Sequence, residues 1–221
     1  MHQDKNLPAD EFHVILVPGA DGLAFAQDAA QAAERGAAVH SLTLPAFAGH
    51  PVDGQAAFYA DAADLIGAAL DELRGPGAPV FAFGRNLGGS LLGHAVVLGA
   101  DFDGVVLIGA IPSLSDFRIH GDHSSARRFR AALGGYTSRI GLIEPLDLSA
   151  SLRTIDPRIC LLQVGRDDPY MDARSDKIFN GLEANFRVEY YDDGHAMTAP
   201  ATMARRSDFI AGLAVRQTRG C

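Results

Sequence analysis

Within these 221 residues, the stretch with the clearest chemical character is Gly84-Arg85-Asn86-Leu87-Gly88, a G-x-N-x-G frame. It follows the apolar run Val80-Phe81-Ala82-Phe83 and leads into Gly89-Ser90-Leu91-Leu92-Gly93-His94-Ala95-Val96, small and apolar residues suited to a buried helix. Strand, turn and helix in that order make a sharp elbow whose central residue takes a strained, left-handed conformation and projects from the top of a sheet. The two flanking glycines leave no Cβ where strand and helix cross closely. Asn tolerates positive φ better than most residues, so Asn86 suits the turn. It does not suit nucleophilic attack. A carboxamide nitrogen has its lone pair delocalised into the carbonyl, and it offers a neighbouring His no hydroxyl proton to remove. Two further loops carry titratable side chains, Gly165-Arg166-Asp167-Asp168-Pro169 and Asp192-Asp193-Gly194-His195.

Alternating elements position these loops. His13-Val14-Ile15-Leu16-Val17 is a β-branched run of the buried parallel type, ending in Pro18-Gly19-Ala20-Asp21-Gly22. An alanine-rich helix over 23–35 is closed by Gly36, and 38–44 supplies a second strand before the loop 45–51. Residues 55–74 read as a helix with Phe58, Ala62, Leu65, Ala69 and Leu73 on one stripe, stopped by Gly75-Pro76-Gly77. The elbow strand covers 79–84 and its helix 87–98. Residues 104–110, 159–164 and 187–191 read as strands, and 201–214 as the closing helix. Residues 111–158 are irregular, with a basic helical stretch at 124–133 and a Gly134-Gly135 break, and read as a small cap or lid with a return helix. Strands alternating with helices, without hairpin signals, predict an α/β protein with a parallel sheet covered on both faces. In such sheets the loops at the carboxyl ends of the strands form the site, and the elbow, the Asp-rich turn and His195 all emerge at that edge.

Composition narrows the classes. The length suits one well-buried domain, and 48% hydrophobic residues leave no room for a disordered tract beyond the termini. A net charge of -8 argues against a general nucleic-acid binder, because no wide basic field is present to displace counterions. Arg127, Arg128 and Arg130 form a local basic cluster, either a solvated helix face or a grip on an anionic substrate tail. Cys160, in an apolar run, and the terminal Cys221 are poor partners for each other and read as free thiols of a reducing compartment. The polar start lacks the apolar core of a signal peptide, and no run approaches the ~20 apolar residues that span a bilayer. A cytoplasmic protein without membrane attachment is the simplest expectation. His120 and His123 have metal-like spacing but no third and fourth ligand beside them, so no metal is expected. Ser90 and Ser113 are the other hydroxyls considered as nucleophiles. Ser90, one turn into the helix, should point away from the elbow tip.

These loops in this order resemble the α/β-hydrolase superfamily, and the resemblance runs from Val14 to Ala214. Elbow, acid loop and histidine loop follow one another as in that family, and Leu42-Thr43-Leu44-Pro45-Ala46-Phe47-Ala48-Gly49-His50 resembles the loop after its fourth strand. The resemblance implies a compact form lacking the family's first two strands. About six mostly parallel strands and one domain over 1–221 are then expected, with 111–158 as its small cap. It places His195 as the proton-accepting imidazole and Asp168, rather than Asp167 or Asp172, as the carboxylate that orients it. Asn86 stands where the family carries its nucleophilic Ser. The oxyanion hole maps onto the backbone N–H groups of Leu87 and Ala20, and no cofactor is called for.

The implied activity is hydrolysis of an ester or thioester by acyl transfer, low as the sequence stands because Asn86 cannot attack. Small or flexible esters and carrier-bound acyl groups both fit a small cap. Two other readings keep Asn86 in a working role or dispense with catalysis. In one, Asn86 donates a hydrogen bond to a carbonyl while His195 and Asp168 transfer protons in a lyase, isomerase or cyclase reaction. In the other, the fold serves as a non-catalytic ligand-binding protein. Deamidation of Asn86 to a nucleophilic Asp is disfavoured by the following Leu87.

Overall fold

The structure, a computed structural model, describes residues 12–19, 25–44, 52–75, 78–132, 144–183 and 185–219. Six strands are formed among them: β1 (Phe12–Val17), β2 (Ala37–Ser41), β3 (Val80–Arg85), β4 (Gly104–Ile108), β5 (Cys160–Gly165) and β6 (Arg187–Tyr191). They make one sheet in the order β2-β1-β3-β4-β5-β6, and every pairing is parallel. The helices are α1 (Ala26–Ala33), α2 (Val52–Leu73), α3 (Leu87–Val97), α4 (Leu114–His120), α5 (Ser124–Ala132), α6 (Leu148–Ser151), α7 (Ala173–Leu182) and α8 (Pro200–Arg219). No helix among the described residues is long and apolar enough to cross a membrane.

Strand residues alternate between two cores because successive side chains point to opposite faces. Ile15, Val17, Ala82, Val105, Leu107, Leu162 and Val164 pack beneath α2, α3 and α7. Val14, Leu16, Phe81, Phe83, Val106, Ile108 and Leu161 pack on the other face against α1 and α8, where Phe209, Ile210 and Leu213 close the layer. Burying both faces explains the largely apolar runs of β3, β4 and β5, in which Gln163 is the one polar residue before the strand ends. The chain leaves β1 outward to β2, then returns over α2 to β3 on the other side of β1. That reversal opens a crevice at the carboxyl ends of β1 and β3, where the turn carrying Asn86 lies.

Several expectations shift on inspection. The second strand ends at Ser41 rather than 44, and the closing helix runs on to Arg219. On α2 the buried stripe is Phe58, Tyr59, Ala62, Ala63, Ile66 and Leu70, while Leu65 is 44% exposed. The true face is rotated from the expected one by somewhat less than the ~100° step between neighbouring helical residues. Tyr59 and Ile66 outweigh Leu65 because they face β1 and α3. Helices α4 and α7 had no clear boundaries in the sequence. The loop 45–51 and the Gly134-Gly135 break lie outside the described residues.

Between β4 and β5 the chain divides its allegiance. Leu146, Leu148, Leu152 and Ile155 join the core under α2 and α3, whereas Ile111 and Phe117 build a separate small cluster with Ala126 of α5. Asp147 ties the two parts together, accepting hydrogen bonds from Ser113 Oγ at 2.7 Å and from the Ser115 N–H at 2.9 Å. Arg118 of α4 is buried and donates to Gln55 Oε1 of α2; burial pulls its pKa down to about 10, and it stays charged at neutral pH.

At the sheet's edge, Glu189 of β6 accepts from Arg187 at 2.7 Å, from Arg205 of α8 at 2.8 Å and from the Tyr191 hydroxyl. Burial raises its pKa, but the bonds from Tyr191 and Arg205 outweigh that and hold the carboxyl below the ordinary glutamate range. The folded-state value therefore lies below the unfolded one. The stability this group contributes is complete above the unfolded value and is lost as pH falls through the folded one. Glu189→Gln should accordingly reduce the loss of stability on acidification; urea midpoints at neutral and acid pH that fall equally in both proteins would contradict it.

Candidate active site

The elbow is built by close approach. A Cβ on Gly88 would lie 2.2 Å from the carbonyl oxygen of Val17 and 2.5 Å from that of Pro18, and one on Gly84 would lie 2.7 Å from Gly89 Cα. All three are main-chain atoms. Gly88→Ala should cost at least about 3 kcal/mol, because neither backbone can withdraw without breaking the sheet. Gly67→Ala in α2 meets nothing within 4 Å and should leave stability unchanged or slightly raised. Urea denaturation of the two variants checks the contrast.

Held by this packing, Asn86 adopts φ 49° and ψ -118°, a conformation costing an ordinary residue on the order of 1–3 kcal/mol. Its N–H donates to Ile108 O at 2.9 Å, which fixes the turn to β4. The side chain faces His195, with Nδ2 2.6 Å from Nε2. On the far side of the ring, Nδ1 lies 2.8 Å from Asp168 Oδ2. A carboxylate only accepts, so Nδ1 carries the proton; Nδ2 of a carboxamide only donates, so Nε2 accepts. This assigns the neutral imidazole with its basic lone pair directed at the elbow tip.

Asp168 is held from both oxygens. Oδ1 accepts the Tyr170 N–H at 2.9 Å while Oδ2 faces the ring, and the side chain is fully buried. Its neighbours are placed otherwise: Asp167 is exposed, and Asp172 caps α7 by accepting from the N–H groups of Arg174 and Ser175 at 3.0 Å. The Tyr170 ring lies against His195 with centroids 4.3 Å apart and planes tilted by 43°, and His123 lies against Tyr170 at the same spacing. Gly109, at φ 53°, keeps open the space beside the pair; a Cβ there would lie 3.2 Å from His195 O and 3.5 Å from Asp168 Oδ2.

Leu87 opens α3, so its N–H has no acceptor one turn back within the helix and is available to an anionic oxygen. Ala20, the second expected donor, lies outside the described residues. The carbonyls of Val17 and Pro18 against Gly88 do bring the end of β1 to the start of α3.

The other hydroxyls and imidazoles that the sequence singled out lie in different settings. Ser90 is buried beside Tyr59, and Ser113 caps α4 through the Asp116 N–H. His120 sits 3.8 Å from Asp116. No group of three or more metal-ligating side chains occurs among the described residues. Arg127 and Arg128 are exposed on α5, as a solvated face requires. Cys160 is a free, buried thiol whose pKa burial pushes up; Cys221 lies outside the described residues.

No protein-family model matches the sequence, and no curated protein does. Solved structures do match. An esterase from Pyrococcus furiosus aligns over 94% of this chain and 82% of its own, with TM-score 0.63 and 13% identity. A monoacylglycerol lipase from Paleococcus ferrophilus aligns over 95% and 96%, with TM-score 0.60 and 17% identity. The thioesterase domain from the curacin biosynthetic pathway aligns over 94% and 92%, with TM-score 0.56 and 15% identity. With its six parallel strands, its crossover at β1 and these structural neighbours, the chain has the α/β-hydrolase fold.

Proposed function

We propose that the chain is an ester or thioester hydrolase of the α/β-hydrolase type in which Asn86 keeps turnover low. One observation carries the reading: carboxylate, imidazole and elbow side chain stand in series, with contacts of 2.8 and 2.6 Å, at the start of α3. The names of the structural neighbours, esterase, lipase and thioesterase, point the same way.

A substrate carbonyl would place its oxygen at the N–H of Leu87, with Ala20 as the second donor. The amide of Asn86 would give up Nε2 to a water molecule. His195 then takes a proton from that water as its oxygen attacks the carbonyl carbon, and Asp168 stabilises the resulting imidazolium. The tetrahedral oxyanion is held by the backbone donors. On collapse the alcohol or thiol leaves with the proton from His195. No acyl-enzyme forms, and what remains is the modest catalysis that such a site retains without its nucleophile. In this reading residues 111–158 act as the cap over small or carrier-bound acyl substrates.

The test is reaction of the chain and of its Asn86→Ser form with a fluorophosphonate, followed by intact mass. One adduct on the Asn86→Ser form and none on the unsubstituted chain is expected; an unlabelled Asn86→Ser form would sink the proposal.

The 2.6 Å amide contact favours a second reading. Asn86 as a fixed donor and His195 as a neutral base suit proton abstraction beside a carbonyl, as in a lyase, isomerase or cyclase. There Asn86→Ala would only weaken turnover while His195→Ala abolishes it.

A further inference from the structure

Behind the histidine loop lies a charged cluster that the hydrolytic steps do not use. Asp28 of α1, Arg85 at the end of β3 and Arg206 of α8 are 1%, 1% and 0% exposed. Asp28 Oδ2 accepts from Arg85 Nη2 at 2.9 Å, and Oδ1 accepts from Arg206 Nε. Both guanidinium groups also reach the residues that follow His195. Arg85 Nη1 donates to the carbonyl of Ala196, and Nη1 and Nη2 of Arg206 both donate to that of Met197 at 3.0 Å. Gln163 of β5 supports Arg206 by accepting from Nη1 at 3.1 Å.

Taking these charges out of water is costly, and apolar side chains fill the same face of β3 at Phe81 and Phe83. Filling space does not explain the cluster. Its geometry does. Arg85 adjoins Asn86 in the chain, and Ala196 adjoins His195, so one guanidinium bridges the backbone on either side of the Asn86–His195 contact. Arg206 grips the carbonyl of Met197, whose φ of 49° is strained for a non-glycine residue and persists only where its surroundings impose it.

We propose that Arg85 and Arg206, oriented by Asp28, are positioning residues that set the separation of the elbow tip from the His195 imidazole. The inference rests on His195 being the proton-handling group of the proposed hydrolase. Without the two guanidiniums, Met197 relaxes toward an ordinary conformation and the ring loses its register with both Asn86 and Asp168. Misplacement of a catalytic group by ~1 Å costs about 10²-fold in rate.

The test uses the full chain, with and without Asn86→Ser, carrying Asp28→Asn, Arg206→Lys or Arg206→Met. Asp208→Asn serves as control, since Asp208 is an exposed residue of α8 that pairs with Arg35, beyond the end of α1. Ester kinetics are read in the Asn86→Ser chain. The slowly exchanging Nδ1–H resonance of His195 is read by NMR in both backgrounds, assigned by its absence in His195→Gln. Asp28→Asn and Arg206→Met should lower kcat by about 10- to 100-fold with KM nearly unchanged. They should also shift or broaden the imidazole resonance, and Arg206→Lys should recover part of both losses. If Arg206→Met does not fold, Asp28→Asn and Arg206→Lys decide the matter. A kcat equal to that of the Asn86→Ser parent and an unmoved resonance in folded Asp28→Asn and Arg206→Lys would overturn the proposal. The resonance in the unsubstituted chain reports position without turnover, so failure of the hydrolase reading is distinguishable from failure of this one.

Discussion

Replacing Asn86 by Ser is expected to raise the hydrolysis of p-nitrophenyl esters by about 10²-fold or more, because a covalent route opens that the amide cannot supply. His195 already faces the elbow tip, with Nε2 2.6 Å from the amide nitrogen. A Ser Oγ is one bond nearer the backbone than Nδ2, so the gap widens to roughly 3 to 3.5 Å, within the range that tightens when substrate binds. The gain should fall on kcat, since residue 86 meets only the reacting carbon. A change under about threefold would show that the loops are aligned but the pocket above them does not receive an ester.

The second large effect is expected within the Asn86→Ser chain, where adding Asp168→Asn should lower kcat on the order of 10³-fold. Asp168 accepts from the Nδ1–H of His195 at 2.8 Å and from the Tyr170 N–H at 2.9 Å. With Asn at 168, one amide oxygen cannot serve both donors in that geometry, and an amide N–H facing Nδ1 would drive the proton to Nε2. The base would then point its lone pair away from the hydroxyl. Binding should survive, so KM is the internal control; a loss shared between a lower kcat and a higher KM would assign Asp168 to structure rather than to the tautomer of His195.

Physical reasons separate what the sequence revealed from what it hid. The parallel sheet was legible because β3, β4 and β5 are buried on both faces, and their runs are apolar apart from Gln163 in β5 and Arg85 at the end of β3. The elbow was legible because Gly84 and Gly88 meet backbone that tolerates no Cβ. Asp168 and His195 were singled out by the resemblance of their loops to the family's, and the structure brings the two side chains to 2.8 Å. Tyr170 was not, since an aromatic residue beside an acid loop says nothing of the ring it will lie against. Nor was the Asp28–Arg85–Arg206 cluster. Its signals were an Arg closing an apolar strand, an Asp in an alanine-rich helix and an Arg near the chain's end, too far apart to be read as one unit. The Leu65 error has the opposite cause. Alanines dilute the apolar stripe of α2, so several helical faces look equivalent until Tyr59 and Ile66 find the sheet.

The left-handed turn at Asn86 bears on how such a chain can change over time. Asn and Ser are small polar residues, each Asn codon lies one base from a Ser codon, and both can occupy this turn without altering the glycines that frame it. Passage between them should therefore keep the fold, with Ser bearing somewhat more of the backbone strain than Asn, while switching the chemistry at the tip. Selection on folding alone separates the two only weakly, so a lineage could set the covalent reaction aside and recover it later with the rest of the machinery still in place.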